Sequence, residues 1–308
     1  MTAMLVALLL DALIGWPERL HARIGHPVTW IGAQIARLDR DWNRGTPAER
    51  RSAGLRAAAL VVGAAFGVGL LVHALLPGGL AGDVLTGVLA WPLIAARSLR
   101  EHVEAVRKPL RLGDLAQARR AVAMIVGRDP EALDHAGVAR AATESLAENA
   151  SDGVVAPIFW GLLLGLPGIA AYKALNTLDS MIGHRTERHA QFGRASAIAD
   201  DLANWVPARI TGALLALVSD RKREALAVMR RDARAHRSPN AGWPEAAMAG
   251  ALDVRLSGPR RYAETTVDEP WLNPGRPDPD AGDLGAALGL YARMLWALGL
   301  ALALGALL

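Results

Sequence analysis

Cysteine is absent from the chain, and with it go disulfides, thiolate zinc sites and cysteine nucleophiles. Lysine is nearly absent: of 34 basic residues only Lys108, Lys173 and Lys222 are lysine. Arginine in that excess, beside abundant Ala and Gly, reads as the imprint of a GC-rich genome. The net charge is only +4 and no basic run interleaves with aromatics, so nucleic acid is not an expected partner. No Gly-x-x-x-x-Gly-Lys-[Ser/Thr] loop occurs, so any nucleotide must be held without a P-loop. His-Glu-x-x-His and Gly-x-Ser-x-Gly are missing too. The apolar start, Met1 to Ile14, carries Asp11 but no basic leader and no small-residue cleavage site. It is expected to be a short membrane helix rather than a cleaved signal.

What is present is hydrophobicity. Of 308 residues, 52% are hydrophobic and 21% charged, the mean hydropathy is +0.20, and the charges fall in blocks between apolar runs. That pattern indicates an all-α, polytopic helical membrane protein. Apolar segments are expected at about 1–14, 53–76, 80–96, 153–175, 205–218 and 284–308 of a single integral-membrane domain covering 1–308. Polar segments occupy 17–52, 97–152, 176–204 and 219–283. Pro77-Gly78-Gly79 joins two apolar runs without Lys or Arg, whereas the flanking blocks are Arg-rich, which places those blocks in the cytoplasm. No strand-like alternation and no internal repeat is evident.

Segment 153–175 is long enough to span, yet Gly165-Leu166-Pro167-Gly168 interrupts it. A straight span would separate the polar clusters at its two ends; a re-entrant hairpin turning at Pro167 would return them to one side. Broken backbone at membrane depth is tolerated where protein encloses it, and the hairpin is the favoured expectation.

Those clusters carry the chemistry. Glu144, Glu148 and Asp152 stand at i, i+4 and i+8, with Ser145, Asn149 and Ser151 beside them. Like charges so spaced repel and call for a cation, for which Mg²⁺, with its oxygen ligands and retained waters or phosphates, is suited. The competing reading is a solvated helix face. Asp179 follows the apolar segment, and Asp200, Asp201 and Asn204 repeat the theme. Helix capping by Asp179, or pairing of Asp200 or Asp201 with Arg194 or Arg209, is the plainer alternative. Lys173, beside Asn176 at a membrane edge, either snorkels or meets a phosphate or carboxylate. In 231–245, Asp232 and His236 stand at i, i+4 before the turn Ser238-Pro239-Asn240-Ala241-Gly242. That segment is expected to close over a substrate, the alternative being a surface turn.

Taken together, these stretches resemble the CobD/CbiB family of cobalamin biosynthesis. The resemblance is carried by Glu144-Ser145-Leu146-Ala147-Glu148-Asn149-Ala150-Ser151-Asp152-Gly153 and by Tyr172-Lys173-Ala174-Leu175-Asn176-Thr177-Leu178-Asp179-Ser180. Asp200-Asp201-Leu202-Ala203-Asn204-Trp205-Val206-Pro207-Ala208-Arg209, Ser238 to Gly242, and His26-Pro27-Val28 add to it. It covers nearly the whole chain. Gly15-Trp16-Pro17 departs from the Gly-Asp-Pro expected there, leaving Asp11 as the nearby carboxylate.

The resemblance implies an adenosylcobinamide-phosphate synthase. Such an enzyme joins (R)-1-amino-2-propanol or its O-phosphate to the free propionate of adenosylcobyric acid as an amide, with ATP and Mg²⁺. On that basis Glu144, Glu148, Asn149, Asp152 and Asp179 are the catalytic candidates, with Asp152, Asp200 and Asp201 toward the metal. Lys173, Asn176, Arg194, Asn204, Arg209, Asp232, His236, Ser238 and Asn240 are candidates for substrate or phosphate contacts. The expected setting is the inner membrane, multi-pass, with the active side cytoplasmic, lipid around it and other cobalamin-assembly membrane enzymes as partners. Two further readings stand beside this one: an intramembrane Mg²⁺-dependent prenyl- or phospho-alcohol transferase, and a non-catalytic membrane anchor.

Overall fold

The computed structural model describes residues 1–127, 130–184, 186–262 and 265–308; over 260–267 it describes backbone only. In chain order the helices are α1 (Thr2–Ile14), α2 (Glu18–Ile24), α3 (Pro27–Trp42), α4 (Pro47–Leu75), α5 (Gly79–Ala90), α6 (Ala96–Arg111), α7 (Leu115–Val122) and α8 (His135–Ala150). They continue with α9 (Ala156–Leu178), α10 (Arg194–Val218), α11 (Lys222–Asp232), α12 (Gly242–Leu252) and α13 (Ala281–Leu307). π-helical turns at Ser151–Val155 and Asp179–Gly183 bracket α9. All-α is thus the architecture, with one small exception. Strands β1 (Leu256–Ser257), β2 (Arg260–Tyr262), β3 (Thr265–Val267) and β4 (Trp271–Leu272) form two antiparallel pairs, β1 with β4 and β2 with β3. At two or three residues each, they are too short to leave an alternating pattern in the sequence.

Local sequence explains where helices begin. Thr46 and Glu49 form a reciprocal capping box in front of Pro47, with Glu49 Oε2 accepting the Thr46 N–H at 2.7 Å. His26 caps α3, its Nδ1 accepting the Val28 N–H at 3.2 Å. Asp134 caps α8 through the Gly137 N–H at 2.7 Å. Each side-chain acceptor satisfies a donor that the first helical turn leaves open.

Four helical stretches are long and apolar enough to cross a membrane: Pro47–Leu75, Gly79–Arg111, His135–Gly183 and Ala281–Leu307. Two of them are not straight. The backbone is extended at Ile94, between α5 and α6. In α9, Gly165 adopts φ 67°, ψ −151°, a conformation that L residues with a Cβ disfavour. α1 is shorter than a span, and 205–218 belongs to α10, which is not among the four stretches.

The chain gathers into two compact units. The first comprises 1–95, 156–204 and 302–308; the second comprises 96–155 and 205–301. In the first, Ile35, Ala57, Val61, Ala174, Leu178 and Phe192 share one core. Its polar end is tied by Arg188 to Asp39 at 2.7 Å and by Arg50 to Asn43 at 2.7 Å.

Within that unit the two arms of α9 fold back on each other. Trp160 Nε1 donates to the Ala203 carbonyl at 3.2 Å, and Tyr172 Oη donates to Asn204 Oδ1 at 2.8 Å. In a straight helix residues 160 and 172 would lie about 18 Å apart along the axis, too far to reach adjacent partners. Gly168 meets the Trp160 carbonyl, where a Cβ would stand 2.3 Å from the oxygen. The expected hairpin is therefore observed as a fold-back of the chain, hinged at Gly165. Its length follows from α4: Gly54 abuts Phe192 at the polar end and Gly69 abuts Pro167 at the hairpin tip. Fifteen residues of α4 make about 22 Å, most of a hydrocarbon core of about 30 Å.

The second unit is built around α8, which packs against α6, α7 and α12. Its β1–β4 corner is held by Trp271, whose ring lies under the guanidinium groups of Arg140 at 5.0 Å and Arg255 at 4.3 Å. Both arginines also grip Asp278, at 2.5 and 2.6 Å.

Candidate active site

In the first unit the α9 hairpin and the start of α10 bring Asn176, Asp179, Asp200, Asp201 and Asn204 together. The centre is Asp200. Asn204 Nδ2, one helical turn on, donates to Asp200 Oδ2 at 2.9 Å, while Tyr172 Oη fixes the other end of that amide. Asp200 is only 7% exposed, and its Oδ1 is buried with no hydrogen-bond partner among the described residues. Burial pushes the Asp200 carboxyl up to about 7; the negative charge of Asp179 and then that of Asp201 add to the rise, against hydrogen bonding from Asn204 and Asn176. A group so perturbed, held by a specific partner, marks a functional-site candidate. Asp179 sits in the π-helical turn that ends the hairpin, a distortion often found at such sites.

Lys173 lies near His26: burial first, and then the Lys173 charge, lower the His26 pKa. With Nδ1 accepting from Val28, the proton of the neutral ring is assigned to Nε2. Trp16, at the position that departs from the expected aspartate, stands edge-on to His26 at 5.0 Å and tilted against Trp91 at 5.7 Å. Its Nε1 donates to the Gly25 carbonyl at 3.2 Å. The indole packs this corner and brings no charge to it. Asp11 is buried within α1. Arg194 opens α10 and is exposed.

The second unit holds the other candidates, and most are already engaged. Glu144 is 5% exposed and its Oε1 accepts the Ser257 N–H at 2.7 Å. Glu148 and Asn149 are exposed, Asn149 Nδ2 donating to the Ser145 carbonyl at 2.9 Å. Asp152 is half-buried in the first π-helical turn, which interrupts the α-helical spacing. The three acids therefore do not continue as one exposed stripe.

The turn at 238–242 is a fastened one rather than a free strap. Ser238 Oγ accepts the N–H groups of Asn240 and Ala241 at 3.2 and 3.1 Å, and His236 Nδ1 accepts that of Ser238 at 3.0 Å. Arg209 clamps it, donating to Asn240 Oδ1 at 3.2 Å and the Pro239 carbonyl at 3.3 Å. Its guanidinium is sandwiched by Trp205 at 4.2 Å and Trp243 at 4.6 Å. His236 Nε2 faces Glu245 Oε2 at 3.5 Å, both buried. Asp232 is gripped by Arg231 at 2.6 Å and accepts the Asn273 N–H at 2.7 Å.

Sequence reasoning left Tyr172 without a role, as it did Trp205 and Trp243 around Arg209. The Trp205–Arg209 spacing of i, i+4 was a readable signal; Trp243, far along the chain, was not.

Among the described residues no three His, Cys, Asp or Glu side chains gather as a metal-ligand set. Mg²⁺ commonly takes one or two carboxylates and completes its shell with water and substrate phosphates. The orphaned Asp200 Oδ1, with Asp179 and Asp201 close by, fits that kind of shared site better than a cage made by protein alone.

A family model described as "CobD/Cbib protein" matches residues 4–291. Among curated relatives, "Cobalamin biosynthesis protein CobD" of Rhodobacter capsulatus is 59% identical over 306 residues, covering 99% of this chain and 97% of that one. The proteins of the same name from Brucella suis biovar 1 and Rhizobium meliloti are 49% and 46% identical, over 93% and 92% of this chain and 90% and 88% of theirs. No solved structure matches the chain.

Proposed function

The chain belongs to the CobD/CbiB family, and from that premise we propose that it is the amide-forming ligase of cobalamin biosynthesis. It joins (R)-1-amino-2-propanol or its O-phosphate to the free propionate of adenosylcobyric acid. The observation that carries the reading is the buried, half-satisfied Asp200 beside Asp179 and Asp201. A carboxylate desolvated with one oxygen unmet costs free energy, and binding a metal–phosphate substrate would offset that cost.

The chemistry divides into two steps. The propionate oxygen attacks the γ-phosphorus of ATP, giving an acyl phosphate and ADP. The amine then attacks the acyl carbon, phosphate leaves, and a carboxylate accepts the amine proton. Mg²⁺ would neutralise phosphoryl charge when bound. Asp200 and Asp201 of the first unit are assigned to hold it. Asp179 is assigned to the proton, Lys173 and Arg194 to substrate anions, and Asn176 and Asn204 to orienting the carboxylates. We assign Glu144, Asp232 and Arg209 to the framework, because their polar atoms already serve it. Glu148, Asn149 and Asp152 stay catalytic candidates of the second unit. The setting we propose is the inner membrane with this chemistry on the cytoplasmic face, within reach of other cobalamin-assembly enzymes.

The test is purified protein in detergent with adenosylcobyric acid, the aminopropanol or its phosphate, ATP and Mg²⁺, read by mass spectrometry. An amide product with stoichiometric ADP supports the ligase; no product with either amine refutes it. The face is tested at Glu187, which is exposed. Glu187→Cys in a chain without other cysteines should react with an impermeant thiol reagent in inverted vesicles and not in intact cells.

A further inference from the structure

Midway down the α9 hairpin lies a cleft of about 170 Å³, lined by Val62, Trp160, Leu164, Ala171, Tyr172 and Leu175. Its polar neighbours are already paired: Trp160 Nε1 with the Ala203 carbonyl and Tyr172 Oη with Asn204. Water needs two or more polar partners to settle in such a space, and apolar cavities of roughly 150 Å³ stay dry yet admit hydrocarbon guests. Depth selects the guest. Val62 is eight residues along α4 from Gly54, about 12 Å toward the hairpin tip, so the cleft sits near the middle of the hydrocarbon core. Leu162, Leu163 and Leu164, at the end of the first arm, are 40%, 59% and 50% exposed, so the wall continues into a surface suited to lipid. We propose that this cleft is a binding site for one acyl chain of a membrane phospholipid.

The experiment uses the full chain in phosphatidylcholine vesicles whose acyl chains carry bromine at mid-chain, bromine quenching tryptophan on contact. Trp160 is a wall residue, so Trp160→Phe should remove a clear share of the quenching. Ala171→Phe, which fills the cleft, should reduce quenching to the Trp160→Phe level. Bromine placed next to the headgroup should quench several-fold less. If Ala171→Phe is quenched like the wild type, Trp160 meets only surrounding lipid and the site does not exist. Should Ala171→Phe fail to fold, the wild-type comparison of the two bromine depths decides, and equal quenching overturns the proposal.

A separate observation concerns the chemistry. Tyr172 Oη, Asn204 and Asp200 form a buried chain at 2.8 and 2.9 Å that ends in the orphaned Asp200 Oδ1. Donation from Tyr172 to Oδ1 of Asn204 forces the Nδ2 side toward Asp200, which fixes the direction in which Oδ1 is presented. We infer that Tyr172 is a positioning residue for the reaction, resting on the ligase reading above. Tyr172→Phe keeps the ring and removes only the donor. It should lower kcat about tenfold with little change in KM for the corrinoid, at unchanged yield of folded protein. A rise in KM with kcat intact, or wild-type kinetics, overturns the inference. Absence of product from the wild type would instead overturn the ligase reading itself.

Discussion

Glu144 and Asp232 of the second unit and Asp200 of the first are all buried, but they are met in opposite ways. In the second, Glu144 takes the Ser257 N–H and Asp232 takes Arg231 and the Asn273 N–H, while the half-buried Asp278 takes Arg140 and Arg255. Each of these three negative charges is met by donors, so the acid serves the fold. In the first unit, Asp200 is equally buried but keeps one oxygen unmet, with Asp179 and Asp201 adding charge of the same sign. Such a group weakens the fold it sits in. The contrast separates acids that hold the protein together from one that waits for something else.

The sharpest way to break this contrast is to neutralise Asp200. Asp200→Asn should lower amide formation by roughly 10²-fold or more, the scale of losing a group that meets transition-state charge. Stability should move the other way. The folded pKa, about 7, lies above the unfolded value of about 3.9. The wild type therefore keeps its full contribution below about pH 4 and loses it as pH rises toward 7. Thermal unfolding in detergent should show Asp200→Asn more stable than wild type at about pH 8, with the gap closing toward about pH 4. A variant that is less stable at alkaline pH would mean that Asp200 is as well met as Glu144.

Much of this contrast could be read from the chain alone, and the part that could not has a physical reason. The apolar runs and the Gly165–Gly168 interruption pointed to the hairpin, because length and backbone freedom are local properties. The identity of the acids was also visible: Asp179, Asp200 and Asp201 crowd a short stretch of sequence. What sequence cannot show is which acids are satisfied. Glu144 and Ser257 are 113 residues apart, and Asp232 and Asn273 are 41 apart, so no spacing rule pairs them. The same holds for the turn at Ser238, which reads as a loose connection until Arg209 and Trp243 are seen to grip it. The π-helical turns at Asp152 and Asp179 likewise leave no signature in the order of residues.

Glu144 offers the converse test. Glu144→Ala leaves the buried Ser257 N–H without an acceptor, an omission that costs about 1–3 kcal/mol. Glu144→Gln keeps a carbonyl oxygen in the same place and should recover most of that loss. If the acid belongs to the fold, Glu144→Gln should also turn over at a rate close to wild type once corrected for folded protein. A Glu144→Gln variant that is stable yet inactive would show that its charge is needed in the reaction, and would move Glu144 to the side of Asp200.

The smallest effect is expected at Arg209, where the framework reading meets the idea of a substrate cover. Arg209→Lys keeps the positive charge but loses the planar stack between Trp205 and Trp243 and the fork that reaches Asn240 and Pro239. Loss of a partly exposed cation–π contact is worth about 0.5–1 kcal/mol, equivalent to a fall in Tm of roughly 2 °C in a chain of this size. Turnover itself should change little, because no reacting atom is assigned to this residue. Coupling is the finer readout. If the fastened turn shields an acyl phosphate from water, loosening its clamp should raise the ATP consumed per amide formed. The ADP-to-amide ratio in Arg209→Lys, compared with wild type, reads that directly. A ratio that stays at the wild-type value while Tm falls confines Arg209 and the 238–242 turn to the framework. A tenfold loss of turnover at unchanged Tm would instead place the guanidinium on the substrate.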